Sequence, residues 1–356
     1  MRFVSLDSCE DGMIIGRNVF GQYGVMLLRC GTPMKQSHIE ALQRLGYPGV
    51  YIDDDISKGI EIPEAVDMLT HNRAEQAVKD LFAESKFSEI VNTSNMVREI
   101  ETVLEDIITQ IIASRAMISN VTSLKTFDNY TYQHCVDVGI LSIILGREFN
   151  LPRRTLIELG KAAIFHDIGK TFIPKHILNK PGKLTAAEFE IVREHPQLGH
   201  DCLKYGLKQS RAICEGALYH HERHDGSGYP DGICGDEIPF FAKIIAITDV
   251  YDAITSKRVY KEAMVPTEAY EFVMSNSGTH FDPKVVEAFV RKVPPFPVGC
   301  GVALSDGRKA IVVENRQNVM TRPLVKLLSA AEEDQEKFID LAADSRARSI
   351  TIVGTA

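Results

Sequence analysis

Eight of the chain's 11 histidines fall between His134 and His224, in 91 of its 356 residues. Even spreading would place about three there. Imidazole is a common metal ligand and changes charge near neutral pH. Long apolar helical stretches separate these histidines, GILSIILG at 139–146 among them. A chain of this kind has to fold so that distant segments bring polar side chains to one centre inside an apolar helical framework.

Four groups of candidate ligands stand in this region. They are His134 in YTYQHCVDVG, the pair His166–Asp167 in FHDIGK, His195 in REHPQLGH with His220–His221 in YHHERHDGSGYP, and Asp249 in AITDVYDAIT. Five imidazoles and two carboxylates suit Fe, Mn, Zn or Ni, and the lack of Cys in the set argues against a structural zinc site. Each group alone also has a plainer reading, as a solvent-facing pair, a loop doublet or a helix-end residue. Asp167 and Asp249 lie in apolar segments, where an unpaired carboxylate is unfavourable and a metal would supply the partner. Four such signals in order outweigh any one of them.

Around this region the chain divides. Residues 1–66 are expected to form a β-rich unit, with short apolar runs at 13–15, 24–28 and 49–52 and one helix at 37–45. Residues 67–118 are expected to be a helical linker. Val97, Ile100, Leu104, Ile107 and Ile111 make a narrow apolar seam, predicted to pack mainly on its own domain with some contribution to a homodimer. Residues 119–292 are expected to be helical, with a capping box at Thr185 and Glu188. Residues 293–356 open with Pro294, Pro295 and Pro297 and read as a small β-rich unit, with runs at 301–304, 310–313, 323–327 and 350–353. The fold class is therefore mainly α, a helical core domain flanked by small β-rich N- and C-terminal units.

Composition narrows the function. The formal net charge of -8 disfavours general binding to DNA or RNA duplexes and to anionic membranes, although a few focused cations could still hold a small anion. No run reaches the 18 or so apolar residues of a membrane span. The opening MRFVSLDSCEDG turns acidic before any apolar core, unlike a signal peptide. Seven Cys without a CxxC pair read as reduced thiols, so a cytoplasmic location is expected.

The HDIGK element, the downstream EHP, HHERHDGSGYP and the DVYDAIT–SKRVYKEAM stretch together resemble the HD-GYP family of the HD phosphohydrolase superfamily, from about residue 130 to 282. His166–Asp167 corresponds to the HD pair and Gly228–Tyr229–Pro230 to the GYP triplet. The resemblance implies a cyclic dinucleotide phosphodiesterase with two transition-metal ions per chain, iron or manganese. It implies that His134, His166, Asp167 and Asp249 hold one ion and that His195, His220 and His221 hold the other, with Asp167 bridging. Tyr130 stands where members with a third metal carry an acidic residue, although Asp128 is near, which favours two ions. The expected substrate is cyclic di-GMP, with linear pGpG as the first product and either pGpG or GMP as the final one. The alternatives are a mixed cyclic GMP-AMP substrate, a catalytically silent dinucleotide sensor, and a nucleotide phosphohydrolase of the wider superfamily.

Lys170, three residues after Asp167, is positioned to stabilise phosphate charge or protonate the leaving oxygen. Asp252, one turn after Asp249, is expected to orient the nucleophilic water or Lys170. Arg258 and Lys261 have the spacing to grip a phosphate or a guanine edge, with Val259 standing where the family has Pro. Gly226–Ser227–Gly228 would let backbone approach a ligand, Tyr229 would stack on a base or bond a phosphate, and Pro230 would stiffen the exit. Asp137 is expected at the surface, and His38, His71, His176, His200, His224 and His280 outside the ligand set.

Overall fold

The computed structural model describes all residues except 22–24, 48, 63, 85–89, 114–129, 257–263, 317–318, 329–336 and 356. The N-terminal unit has strands β1 (Arg2–Ser5), β2 (Ile14–Ile15), β3 (Val19–Phe20) and β4 (Met26–Leu28), helix α1 (Gln36–Arg44) and strand β5 (Gly49–Asp53). β5 is central, antiparallel to β1 and β2, and β3 pairs with β4 as a separate ribbon. Ile39 and Leu42, three apart on α1, bury against Val4, Ile15, Val50 and Ile52. The predicted helix and the runs around β2 and β5 are present. β1 and β3 went unpredicted, being very short and each burying a single residue, so neither shows a period-2 pattern.

The helical part runs α2 (Met68–Glu84), α3 (Ile90–Ala113), α4 (Tyr130–Glu148), α5 (Arg153–Phe165), a 3-10 turn Ile168–Phe172, α6 (Lys175–Leu178), α7 (Ala186–Val192), α8 (His195–Asp201), a π turn Cys202–Gly206, α9 (Arg211–Tyr219), α10 (Phe240–Thr255), α11 (Pro266–Ser275) and α12 (Pro283–Lys292). The capping box forms as the sequence implies, with the Thr185 and Glu188 side chains each accepting from the other's backbone N–H. One core joins these helices, and all five seam residues of α3 are buried in it alongside Leu81, Ile143, Leu159 and Phe289. Helices α2 and α3 are thus part of the helical domain rather than a free-standing linker. The reason is energetic: each buried aliphatic side chain contributes about 1.5–3 kcal/mol, which a solvent-facing linker would forgo. The seam expected to contribute to a homodimer is covered by the chain's own helices.

The C-terminal unit is a five-stranded antiparallel sheet in the order β10-β6-β7-β8-β9, built from β6 (Gly301–Leu304), β7 (Lys309–Glu314), β8 (Leu324–Leu327), β9 (Phe338–Asp340) and β10 (Ile352–Thr355). Four of these overlap the predicted runs, while β9 has three residues and little apolar signal. The two β-rich units meet. Tyr51, Ile60 and Ile62 share a small core with Val298 and Ile311. Phe3 N–H donates to Gly299 O at 3.1 Å, and Lys326 Nζ reaches Ile56 O at 2.6 Å. Segments more than 230 residues apart in sequence thereby form one flanking module. No described helix is long and apolar enough to cross a membrane.

Candidate metal centre

Helix ends create the site. His166 follows the last residue of α5, His195 opens α8 and His220 follows the last residue of α9. In each case Nδ1 lies 2.7 Å from the carbonyl oxygen three residues earlier, that of Ala163, Val192 or Ala217. A carbonyl only accepts, so each Nδ1 carries the proton and each Nε2 presents a lone pair. The imidazoles form a continuous array. Ring centroids are 5.3 Å apart for His134–His166, 5.0 Å for His166–His220 and 4.0 Å for His220–His221.

Helix α4 faces α10, and Ser142 Oγ bonds Thr248 Oγ1 at 2.9 Å across that contact. The resulting register sets His134 Nε2 3.0 Å from Asp249 Oδ1 and its Nδ1 2.6 Å from Asp252 Oδ2. Asp167 stands between the two groups of histidines. Its Oδ2 is 3.4 Å from His166 Nε2, and its Oδ1 is 3.4 Å from His195 Nε2. This approach depends on Gly169. A Cβ there would overlap His195 O and lie 2.6 Å from Gly199 N, so only glycine lets this turn lie against α8.

The electrostatics fit cations. Among the described residues, His166 Nε2 and Asp167 Oδ1 are buried without a hydrogen-bond partner. His195 Nε2 and His220 Nε2, both lone-pair atoms, face each other at 3.4 Å, an arrangement a cation would relieve. Burial lowers His166 and His220 and pushes His195 down to about 4 and His221 to about 3, holding these four imidazoles neutral. Burial alone would raise the carboxyls of Asp167 and Asp249. The charges and hydrogen bonds around them, from His166 and Lys170 for Asp167 and from His134 and His166 for Asp249, instead hold both well below the usual range. Burial would lower His134, yet Asp249 and Asp252 raise it to about 9. Three sets of donors come within 4.8 Å of one another: His195–His220–His221, His134–His166–Asp167 and His166–His220–Asp249. All seven expected ligands are therefore in one centre, and their N and O donors fit transition-metal ions. Cys135 adjoins it, but burial holds its thiol well above the usual range.

Lys170 Nζ donates to Asp167 Oδ2 at 2.6 Å, so the expected proximity is met through a 3-10 turn rather than a continued helix. Burial would lower its ammonium, but Asp167 and Asp249 hold it above its ordinary value. Asp252 accepts the Nδ1–H of His134 and so aims that ring.

Gly228 also differs in role. A Cβ there would lie 2.5 Å from Glu222 Cα and 2.6 Å from His221 O, so the glycine seats the loop on its own chain rather than opening it to a ligand. Tyr229 N–H donates to His221 O at 3.2 Å, and the Tyr229 ring stacks on His221 at 4.7 Å. Pro230 follows on the exposed side. Arg258, Lys261 and Val259 lie outside the described residues, as do Asp128 and the side chain of Tyr130.

Three features escaped the sequence reading. Asp137, expected at the surface, is buried and lies 2.8 Å from His71 Nε2, tying α2 to α4. Its partner is 66 residues away, so local spacing gave no sign. Glu222 is buried, and its Oε1 accepts from Asp231 N and Gly232 N at 2.7 and 2.9 Å, holding the loop after Tyr229. An acid directly behind two candidate ligands was the available clue. Arg193 lies over the Tyr229 ring, with Cζ 4.7 Å from its centroid.

Comparison with known proteins agrees with this geometry. The description of the HD domain matches residues 92–285. A cyclic di-GMP phosphodiesterase of Pseudomonas aeruginosa is 39% identical over 73% of this chain and 62% of its own length. Another, from Thermotoga maritima, is 34% identical over 67% of this chain and 65% of its own. A 3'3'-cGAMP-specific phosphodiesterase of Vibrio cholerae is 35% identical over 49% of this chain and 34% of its own. The chain thus spans under two thirds of the length of these curated relatives.

Proposed function

The chain belongs to the HD domain family, in the branch that carries the GYP triplet, and from that premise we propose that it is a metal-dependent phosphodiesterase opening cyclic di-GMP to linear pGpG, and on to GMP, in second-messenger signalling. The observation that carries this reading is the convergence of seven N and O donor residues in one centre, where His166 Nε2 and Asp167 Oδ1 are buried without a hydrogen-bond partner among the described residues. The relatives' names support the substrate class.

Two iron or manganese ions would fit the donor set, one held by His134, His166, Asp167 and Asp249 and one by His195, His220 and His221, with Asp167 common to both. When bound, such ions make hydroxide available at neutral pH and neutralise phosphodiester oxygens. The chain's own residues do the rest. Asp252 fixes the His134 tautomer. Lys170, kept protonated by its acidic neighbours, stabilises phosphate charge or gives a proton to the leaving oxygen. Tyr229, seated by Gly228 and followed by Pro230, forms one wall beside His221. Arg258 and Lys261 are the further substrate-binding residues, suited to a guanine edge. The protein acts in the cytoplasm, and a second copy of the chain remains a candidate partner.

The test is product identification from metal-replete protein given cyclic di-GMP or 3'3'-cGAMP. Linear pGpG, formed faster than any product of the mixed dinucleotide, is the expected result. Binding of cyclic di-GMP without turnover would point to a silent sensor, and faster cleavage of the mixed dinucleotide would reassign the substrate.

A further inference from the structure

Arg193 caps the C-terminal end of α7 and lies on the outer face of the ring array. The order is Arg193 over Tyr229 at 4.7 Å, then Tyr229 over His221 at 4.7 Å and 25°. Two contacts immobilise the guanidinium: the ring face below it, and Glu190, whose two carboxylate oxygens accept from Nη1 at 3.0 and 3.2 Å. Its Nε and Nη2 have no hydrogen-bond partner among the described residues, and its side chain is 35% exposed. A planar cation stacked on one face, with a free N–H edge, is suited to bidentate recognition of phosphate.

The substrate class supplies the complement. A cyclic dinucleotide carries two phosphodiesters in one ring. When one lies at the metal centre, the other is held away from it and must be received elsewhere on a chain of net charge -8. Lys170 is committed to Asp167 at the centre itself. Glu190, at 65% side-chain exposure, is well screened and only partly offsets Arg193.

We propose that Arg193, stacked on Tyr229, receives the second, non-reacting phosphate of the cyclic dinucleotide and so selects two-phosphate rings over simple phosphodiesters. This rests on the cyclic dinucleotide reading above. Any linear or small diester lacking the second phosphate gains nothing from the contact.

The experiment compares wild type, Arg193→Ala and Arg193→Lys as metal-replete holoenzymes. It reads KM and kcat on cyclic di-GMP, Kd for a hydrolysis-resistant phosphorothioate analogue, and kcat/KM on bis(p-nitrophenyl) phosphate, which has a single phosphodiester. Arg193→Ala should raise both KM and Kd about 10- to 100-fold, as loss of a charge-assisted hydrogen bond does. Its kcat should move less than about threefold, since the contact is made equally in ground and transition states. The loss on bis(p-nitrophenyl) phosphate should be smaller by about tenfold or more, and Arg193→Lys should recover part of the binding. Equal losses on both substrates would reduce Arg193 to a prop for Tyr229 and overturn the proposal. So would KM and Kd of Arg193→Ala equal to those of a wild type that hydrolyses cyclic di-GMP, a result leaving the functional reading intact. If wild type cleaved bis(p-nitrophenyl) phosphate but bound no cyclic dinucleotide, the functional reading would fail and this proposal with it.

Discussion

Asp252 accepts the Nδ1–H of His134 at 2.6 Å, joining α10 to α4 across 118 residues of sequence. The bond turns the ring so that Nε2 faces Asp249 Oδ1 at 3.0 Å. A carboxylate behind a ligating imidazole fixes its tautomer and raises its basicity. Asp252→Asn should therefore weaken metal affinity about 10- to 100-fold in a chelator-competition titration, with most turnover restored by excess metal. Unchanged affinity would mean that His134 is not a ligand.

Lys170 bonds Asp167 from within the same turn, within reach of a phosphate at the centre. Lys170→Ala should lower kcat on cyclic di-GMP about 10- to 100-fold while KM changes little, because its charge is needed chiefly as the leaving oxygen becomes negative. Steady-state kinetics with metal-replete enzyme decide it. A change confined to KM would make Lys170 a binding residue.

The metal-free protein should be most stable near pH 6.5. His195 and His221 have folded values depressed to about 4 and about 3, so the unfolded chain binds more protons below pH 6.5 and stability falls as pH drops toward 4. His134 is raised to about 9, so its contribution is complete below pH 6.5 and is lost as pH rises through 9. Each group contributes up to about 1.4 kcal/mol per pH unit within its window. Denaturant unfolding of chelated protein across pH 4–9 would reveal the maximum. A flat profile would contradict the buried, neutral state of His195 and His221 and the charged state of His134.

The His71–Asp137 pair should matter for folding rather than chemistry. His71→Ala leaves Asp137 buried without this partner, and breaking a buried pair costs about 3–5 kcal/mol. Thermal unfolding of the metal-loaded protein should show a drop of several degrees. A change below about 0.5 kcal/mol would mean that α2 holds to α4 through its apolar contacts alone.

The ligand set was legible because its chemistry is unusual: imidazoles and carboxylates in apolar segments have few other uses, and their types survive in one dimension. Which atoms meet was not legible. His134 finds Asp252 and Asp137 finds His71 only once α2, α4 and α10 pack, and one-turn spacing does not say which neighbour a side chain will meet. The roles of Gly169 and Gly228 are likewise three-dimensional, since each is defined by the backbone lying against it. The seam of α3 was expected to pack mainly on its own domain, and the helical core covers it. The joining of the two β-rich units through Tyr51, Ile62 and Ile311 depends on contacts between opposite ends of the chain, which local hydrophobic patterns do not encode.

Seven donors on five separated segments converge in one centre suited to transition-metal ions. Elemental analysis of anaerobically purified wild-type protein tests it most directly. About two iron or manganese ions per chain is the result predicted. Protein without transition metal after anaerobic preparation, or with stoichiometric zinc at a four-coordinate site, would contradict it.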